Sequence, residues 1–439
     1  MLSREENDLL TRTGPGTPMG EVLRRYWLPA LLSSEIPEPD CPPVQVKLLS
    51  ESLVAFRDTE GRIGLLDEFC AHRGTSLWLG RNEECGLRCV WHGWKYDVNG
   101  QCVDQMNQPG SSSFAYKIRI KSYPVLELGG VVWAYMGPEN KMPPPPKFGW
   151  TQVPATHRHT SKLIQECNWL QGLEGGLDQI HVPILHKTFR AELADSGIAA
   201  QSFIGRTGMP VFEIEQTEFG LRYVAMRRLA EDRYYVRGYN FIMPFTQVRH
   251  ADNPTTDADL AKKFNTGHMW VPIDDENCMV WNWMYSWGDP LTEEERMERR
   301  TGNGPDEVDQ RTFRPFRNRD NSWLIDREMQ RSQNFSGITK VNAQDRAVQE
   351  LQGRIADRTK EHLGPADKVM ISARQLLLRA AKTVAVGELP MGADASYYCA
   401  RGATKIIPAD GSWQELMREE MYPAEQKAAG AVSGIGRVA

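Results

Sequence analysis

Two short segments near residue 80 place the strongest constraint on how this chain can fold. The first, FCAHRG, contains Cys70 and His72, and the second, CVWHGW, contains Cys89 and His92. The pattern is C-x-H-x16-C-x2-H, so each arm carries one thiol and one imidazole. Four metal-binding side chains in two matched pairs predict that the chain folds around a metal centre.

Two kinds of metal centre use this set of donors. Structural zinc sites usually pair C-x2–4-C with H-x3–5-H, whereas each arm here is mixed. A [2Fe–2S] cluster with two cysteines on one iron and two histidines on the other suits the mixed arms better. Gly74 and Gly93, which follow the arms, are consistent with tight loops that aim backbone N–H groups at the sulfurs. We favour the iron–sulfur cluster and keep zinc as the alternative.

A second group of metal-binding residues lies in EGGLDQIHVPILHKTF, where the spacing is D-x2-H-x4-H. Histidines five apart point in different directions on an ideal helix, but Pro183 favours a break between His181 and His186. The two imidazoles can then converge on one ion. With a carboxylate from elsewhere they would form the facial triad of non-heme Fe(II) oxygenases, which leaves positions open for O2.

The remaining sequence is typical of a soluble globular protein. The chain has 439 residues, 25% of them charged, and a net charge of −5 without long blocks of one sign. We therefore expect no nucleic-acid partner. The charged start MLSREENDLL and the lack of any apolar run of membrane-spanning length predict a cytoplasmic protein without a membrane segment. Eight irregularly spaced cysteines do not resemble a disulfide framework.

The distribution of turns and apolar runs predicts a β-rich module inside a larger α+β protein. Residues 1–30 are predicted to be helical, and residues 44–132 to form short strands. Hairpin turns are predicted at Asp58–Gly61, Asn99–Gly100 and Asp274–Asn277, and helix returns at residues 340–385. The proline run MPPPPKF is a natural domain boundary.

Residues 70–92 resemble the Rieske signature, and their combination with D-x2-H-x4-H resembles the large subunit of Rieske non-heme iron aromatic-ring oxygenases. LLTRTGPGTPMGEVLRRYWLPAL, GRNEECGLRCVWHGWKYD and QDRAVQE look like the phthalate dioxygenase subgroup over nearly the whole chain. This resemblance implies an α+β fold with an all-β Rieske [2Fe–2S] domain at 41–148. An N-terminal helical segment at 1–40 would pack on a catalytic domain at 149–439, which would contain an antiparallel sheet flanked by helices, of the helix-grip type.

The resemblance also implies roles for individual residues. The third ligand of the mononuclear Fe(II) would be Asp345 in NAQDRAVQE, where the acidic Glu350 follows; Asp357 fits less well. Asp178 would bridge His92 of one subunit's Rieske domain to the iron-binding His181 of its neighbour. Cys70, His72, Cys89 and His92 would hold the cluster, and His181 and His186 would complete the iron site.

Partners follow from the same resemblance. Electrons would come from a separate reductase with FMN and its own [2Fe–2S] cluster, which uses NAD(P)H; the chain has no G-x-G-x-x-G motif after a strand. The oxygenase would be a homotrimer or hexamer. The other reactants would be O2 and an aromatic carboxylate, for which Arg206 and then Arg249 are the candidate cations.

Four functions are compatible with these residues. The leading hypothesis is a terminal oxygenase that cis-dihydroxylates a phthalate-like aromatic carboxylate. The second is a Rieske monooxygenase or O-demethylase of an aromatic acid, which uses the same metals. The third is a Rieske electron-transfer or ligand-binding protein without mononuclear iron chemistry, and the fourth is a zinc-stabilised binding module.

Overall fold

Antiparallel strands fill two parts of the chain, residues 27–135 and residues 158–286, and helices flank the second part. The computed structural model describes residues 1–109, 114–189, 202–250, 260, 262–393 and 400–421. The expected fold class, an all-β unit followed by an antiparallel sheet with flanking helices, is confirmed.

The first part contains three small antiparallel sheets. The two Cys/His arms are loops at the ends of strands in this part. The strands are Val44–Leu48, Glu51–Arg57 and Ile63–Asp67; Arg81–Glu83, Gly86–Arg88, Trp94–Tyr96 and Cys102–Gln105; and Trp27–Leu32, Val131–Tyr135 and Val125–Leu128.

All three predicted hairpin turns are confirmed. Asp58–Gly61, Asn99–Gly100 and Asp274–Asn277 each lie between two strands that pair in antiparallel register. At the second turn, Asp97 accepts the backbone N–H of Gly100 at 3.0 Å through its carbonyl. Its carboxylate accepts two further N–H groups, so one side chain stabilises the turn that sequence chemistry favours there.

The second part is dominated by one eight-stranded antiparallel sheet. A strand near the end of the chain, Ala403–Pro408, joins it by pairing with Arg233–Ile242. The other strands follow the order Arg158–Gln165, Cys278–Ser286, Phe264–Pro272, Thr246–His250, Arg233–Ile242, Gly220–Ala230 and Val211–Gln216. Side chains from the middle strands form one wall of the cavity described below.

The helix Trp169–Leu177 lies close against this sheet. A Cβ atom added to Gly172 would lie 2.2 Å from Cδ1 of Trp270, and one added to Gly176 would lie 2.1 Å from the same ring. The two glycines therefore let the helix rest directly on the indole. Because Asp178 and His181 follow at its end, this contact fixes where they stand.

The α-helices of the described residues vary in length from one turn to five. The two longest of the second part, Val341–Glu350 and Lys368–Ala385, lie in the region 340–385 that the sequence predicts to be helical, and residues 351–367 between them contain no α-helix. The complete set is Arg4–Thr11, Pro18–Leu23, Gly149–Gln152, Trp169–Leu177, Val182–Leu185, Phe203–Arg206, Glu293–Arg296, Arg327–Ser332, Val341–Glu350, Lys368–Ala385, Trp413–Leu416 and Arg418–Met421.

The N-terminal segment differs from the helical expectation in its second half. Helices Arg4–Thr11 and Pro18–Leu23 form as expected, but Trp27–Leu32 is a strand that pairs with Val131–Tyr135. Pro29 explains the change, because proline is excluded from a helix interior but tolerated at an irregular strand position. The register indeed shifts between Pro29 and Leu31.

The buried apolar side chains form one large cluster and several smaller ones. The large cluster joins the N-terminal helices to the eight-stranded sheet. A separate cluster, with Val54, Phe56, Leu87 and Tyr96 among its members, underlies the Cys/His arms. Among the described helices, none combines the length and the apolar character that crossing a membrane requires.

Candidate active site

The two Cys/His arms form loops of the same shape. The N–H of Gly74 donates to the carbonyl of Cys70 at 2.9 Å, and the N–H of Gly93 donates to the carbonyl of Cys89 at 3.0 Å. Both glycines have φ of +74°, a left-handed conformation that favours glycine. The tight loops inferred from the sequence are thus present, and each turns a cysteine and a histidine toward the other arm.

The loops bring the four donors together as two pairs. Cys70 and Cys89 are buried, and their thiols are close enough to share a hydrogen bond. The rings of His72 and His92 lie 4.4 Å apart at 78°. Nδ1 of His72 is buried without a hydrogen-bond partner among the described residues. A paired set of thiols beside a paired set of imidazoles, with an orphaned ring nitrogen, fits a [2Fe–2S] cluster.

Two aromatic side chains of the Trp94–Tyr96 strand contact this site. The hydroxyl of Tyr96 lies 3.3 Å from Sγ of Cys70 and accepts the N–H of Ala71 at 3.2 Å. The indole of Trp94 stacks on the ring of His72 at 4.6 Å. Burial is the largest cause that raises the pKa of the Cys89 thiol, so a bound metal is needed to hold it as thiolate.

His181, His186 and Asp345 come together at the second site. Oδ1 of Asp345 lies 3.3 Å from Nε2 of His181 and 3.2 Å from Nε2 of His186, and the two rings are 5.1 Å apart. The single-turn helix Val182–Leu185 separates the histidines, with His181 at its N-cap and His186 at its C-cap. Pro183 lies in the first turn of this helix, so the chain makes a fresh turn at the proline rather than a break, and the two histidines flank that turn. The three donor atoms could hold one metal ion.

Further side chains fix the orientation of both rings. Nδ1 of His186 bonds to Oε1 of Gln344 at 2.7 Å, and Nδ1 of His181 lies 3.2 Å from Oδ2 of Asp178. Burial lowers the pKa of His181, but Asp178 and Asp345 outweigh it and raise the pKa to about 10. Burial likewise raises the pKa of Asp345, yet both histidines hold it well below its usual range. The pocket thus favours a cation between these groups.

A cavity opens beside His181, His186 and Asp345. It holds about 140 Å³, close to the roughly 150 Å³ of an apolar cavity that accepts benzene. Leu163, Val182, Trp270 and Val280 supply apolar walls. Of the described residues that line it, the one carboxylate is Asp345, and the arginines are Arg237, Arg249, Arg300 and Arg346. The cavity is therefore suited to an anionic ligand with one aromatic ring.

Arg249, one of the two predicted substrate residues, lines this cavity on the Thr246–His250 strand. Its guanidinium donates to Oγ1 of Thr266 at 3.1 Å and to Nε2 of His268 at 2.9 Å. Nδ1 of His268 then donates to Oδ1 of Asn282 at 2.8 Å. Burial and the charge of Arg249 lower the pKa of His268 to about 3, which keeps its ring neutral as this chain of bonds requires.

The other predicted substrate residue, Arg206, ends the short helix Phe203–Arg206, and its side chain lies outside the described residues. Sequence reasoning missed His268, Asn282 and Arg346 as cavity residues. His268 lies two positions before Trp270 on the same strand, so the two side chains are on the same face. The alternation of residues along a strand does not tell which face lies inward. For Arg346 the only signal was its position directly after Asp345.

Family models match both parts of the chain. The Rieske [2Fe-2S] domain model matches residues 26–124. The model described as LigXa C-terminal domain like matches residues 134–432, which is more than half of the chain. The matched segments contain all four donors of the first site and all three donors of the second.

Curated relatives match nearly end to end. The chain is 36% identical to the phthalate 4,5-dioxygenase oxygenase subunit of Pseudomonas putida, over 96% of each chain. It is 30% identical to the 5,5'-dehydrodivanillate O-demethylase oxygenase subunit of a Sphingobium strain, over 98% of this chain and 92% of the other. Dicamba monooxygenase bound to dicamba has a similar fold, with a TM-score of 0.58 at 16% identity, over 83% of this chain and 99% of that one.

Proposed function

The chain belongs to the Rieske non-heme iron oxygenases as a terminal oxygenase, and we propose that it cis-dihydroxylates an aromatic carboxylate resembling phthalate. In this reaction one O2, two electrons and two protons convert two adjacent ring carbons into a cis-dihydrodiol. The observation that carries the proposal is a ring-sized cavity with His181, His186 and Asp345 on its lining and several arginines around them.

The charge of the cavity supports a carboxylate substrate. Four lining arginines face a single lining carboxylate among the described residues, and that carboxylate is a proposed metal ligand. Arginine pairs with carboxylates through two parallel hydrogen bonds, which fixes the direction of the substrate as well as its charge.

The family's two metal groups fit the residues present. Cys70, His72, Cys89 and His92 would hold the [2Fe–2S] cluster, and His181, His186 and Asp345 would hold the mononuclear iron. When bound, these groups supply one-electron transfer and the activation of O2. The chain's own residues then have three tasks: to orient the substrate, to orient the ligands, and to connect the two sites.

Arg249 is the proposed carboxylate partner. Its bonds to Thr266 and His268 hold the guanidinium in one orientation on the sheet wall. A substrate carboxylate paired with it would place the ring in the part of the cavity between the sheet and His181. Positioning of this kind lowers the barrier because the reacting carbons are held in place before the chemical step.

Asp178 is the proposed connection between sites on different subunits. One carboxylate oxygen faces His181, the other accepts the N–H of Ile180 at 2.7 Å, and 37% of the side chain remains exposed. His92 lies at the tip of its loop beside Trp91, which is half exposed. In a homotrimer or hexamer, His92 of a second copy of the chain could therefore reach Asp178 and pass electrons toward His181.

The electrons would come from a separate reductase with FMN, its own [2Fe–2S] cluster and NAD(P)H. The relatives named above are oxygenase subunits, as expected of one component in such a system. The chain itself contains no G-x-G-x-x-G motif for a dinucleotide.

Turnover of the reduced protein under 18O2 with a panel of aromatic carboxylates tests the proposal. Two labelled atoms on adjacent carbons of the product are expected. The absence of any oxygenated product from the whole panel, from a protein shown to contain both metal groups, would contradict the proposed substrate class.

A second candidate, O-demethylation of a methoxylated aromatic acid, is favoured by one observation. The chain is 30% identical to an O-demethylase oxygenase subunit over 98% of its length. The same labelling experiment separates the two, because demethylation places one atom of O2 in the released formaldehyde and the other in water, and the aromatic product keeps its own unlabelled oxygen. Methoxylated benzoates therefore belong in the panel.

A further inference from the structure

One glutamine lies where the cavity beside the iron site meets a second cavity. The second cavity holds about 220 Å³ and has Asp178 in its lining, so it lies on the side from which electrons are proposed to arrive. The two cavities share five lining residues, which are Gly175, Gln179, His181, Asp345 and Gln349. Gln349 therefore lies beside two of the proposed iron ligands without belonging to the ligand set.

The amide of Gln349 has a fixed orientation. Only 7% of the residue is exposed, and its Oε1 accepts an N–H from Nε2 of Gln165 at 2.6 Å. Because a glutamine amide has one oxygen and one NH2 group, this bond makes Nε2 the atom that remains available as a donor. Among the described residues no acceptor bonds to this Nε2, and the side chain opens into both cavities. A donor is thus held at the boundary between them.

A glycine leaves room for this amide. Gly175 lies inside the helix Trp169–Leu177, where glycine is destabilising relative to alanine. A Cβ atom added to Gly175 would lie 2.0 Å from Nε2 of Gln349. The neighbouring Gly176 makes room for a different side chain, that of Trp270. The helix therefore has no side chain at the point where the amide lies against it.

The backbone around Gln349 places the donor next to the iron site. Gln349 and Asp345 are four positions apart on the helix Val341–Glu350, so their side chains share one face. The carbonyl of Gln349 accepts an N–H from Nε2 of Gln171 at 3.1 Å, which ties this helix to the one that precedes His181. The donor and the proposed ligands are therefore held in one rigid arrangement.

We propose that Gln349 donates a hydrogen bond from Nε2 to the oxygen atoms of O2 as they accept electrons at the iron site. In dioxygenation O2 takes up two electrons and two protons, and both of its atoms form bonds to carbon. Negative charge develops on these atoms wherever electron transfer precedes protonation. A donor already held in place stabilises such charge, and the loss of one such donor costs about 10²–10³-fold in kcat. This inference rests on the proposed function, from which it takes the iron ligands.

Binding of nitric oxide to the holoenzyme with ferrous iron tests the inference without turnover. Nitric oxide binds ferrous iron in place of O2 and takes up negative charge when bound, so it should respond to the same donor. Anaerobic titration followed by EPR spectroscopy gives its affinity. In Gln349→Met, which removes the donor, this affinity is expected to fall about tenfold or more, as for the loss of a hydrogen bond to a charged group.

Three further variants complete the comparison. Gln349→Glu keeps an acceptor for Gln165 but replaces the NH2 group with an oxygen, so it should bind nitric oxide no better than Gln349→Met. Gly175→Ala leaves the glutamine in place but puts a methyl group where its amide lies, and should also weaken binding. Gln330→Met is the matched control, because Gln330 bonds to Arg327 at 2.8 Å and does not line either of these cavities. Its affinity for nitric oxide is expected to equal that of the parent.

Turnover shows whether the partner of the donor is O2 or the aromatic substrate. We expect Gln349→Met to lower kcat and to leave the KM of the aromatic acid unchanged. It should also release more hydrogen peroxide per O2 consumed, since the same two electrons and two protons convert O2 into hydrogen peroxide when no carbon is oxygenated. A raised KM together with the parent's affinity for nitric oxide would assign Nε2 to the substrate and overturn the proposal.

The remaining outcomes differ in meaning. The parent's affinity for nitric oxide in both Gln349 variants overturns the donor while the iron site stands. A parent that contains iron but gives no ferrous nitric oxide signal contradicts the iron site and, with it, the donor. A parent that binds nitric oxide but oxygenates no aromatic acid contradicts the proposed substrate, and the comparison of the variants still decides the role of Gln349.

Discussion

The carboxylate of Asp178 lies 3.2 Å from Nδ1 of His181, while Nε2 of the same ring faces Asp345. His181 is thus held between two carboxylates, one that belongs to the proposed iron site and one that is partly exposed at the surface. A ring in this position can be both a metal ligand and the last group on a route for electrons.

Replacement of Asp178 by Asn should uncouple the two metal groups. Because the carboxylate orients His181 and faces outward, reductase-supported turnover should fall roughly 10- to 100-fold, the usual effect of losing a partner of a metal-binding histidine. Asp357→Asn is the matched control, since its side chain is also 37% exposed but its carboxylate bonds to Thr359 and Lys360 rather than to a histidine. Single-turnover reoxidation of the cluster, together with iron analysis, measures the effect; normal reoxidation in D178N would contradict the bridging role.

Tyr96→Phe should lower the reduction potential of the cluster. The Tyr96 hydroxyl lies 3.3 Å from Sγ of Cys70, and a donor to a ligand sulfur stabilises the reduced, more negative state. If about 1.4 kcal/mol of this hydrogen bond is specific to the reduced state, the potential falls by roughly 60 mV. Redox titration followed by EPR measures the shift. Tyr116→Phe, at a tyrosine that is 77% exposed, should leave the potential unchanged.

Much of this architecture follows from local sequence signals. Pro183 indicated that no single helix contains both His181 and His186, and the Asn99–Gly100 pair predicted its hairpin turn. These features depend on residues a few positions apart. The strand Trp27–Leu32 could not be predicted from local signals, because it forms by pairing with Val131–Tyr135, about a hundred residues later in the chain.

The residues that line the cavity beside His181 and His186 were harder to predict, for a physical reason. Alternation along a strand separates its two faces but does not tell which of them meets the cavity. Arg249 could therefore be proposed as a candidate, but the pattern did not show that it lines the cavity, whereas Arg222 on the same sheet pairs with Glu215 at 2.9 Å. Arg346 lies on a helix, and its exposure to the cavity depends on how the loop with Asn303 packs against that helix.

His268 should make the protein less stable in acid. Burial and Arg249 lower its pKa in the folded protein to about 3, whereas an unfolded histidine has a pKa of about 6.5. Between these values the unfolded chain binds a proton that the folded chain does not, so the free energy of unfolding falls as the pH falls.

The expected size of this effect is about 2 kcal/mol between about pH 7.5 and about pH 5, and His268→Gln should remove it. Urea unfolding of the parent and the variant at both pH values measures the difference. His157→Gln, at a partly exposed histidine whose ring bonds to the hydroxyl of Thr156, serves as the control. Equal acid sensitivity of parent and H268Q would show that His268 is protonated in the folded protein.

Arg249→Met should weaken the binding of an aromatic monocarboxylate by roughly 10- to 100-fold, because a charge-assisted pair with a carboxylate contributes about 1.5–3 kcal/mol. Arg249→Lys should recover only part of this affinity, since an ammonium cannot donate in parallel to Thr266, His268 and a carboxylate in the geometry of the guanidinium. Arg228→Met is the control, because Arg228 is exposed on the strand Gly220–Ala230 and bonds to the carbonyl of Glu231. Calorimetric titration of each oxidised holoenzyme with benzoate gives the affinities. An Arg249→Met enzyme that binds benzoate as tightly as the parent would show that the carboxylate is held elsewhere in the cavity, and the substrate would then have to be reoriented relative to His181 and His186.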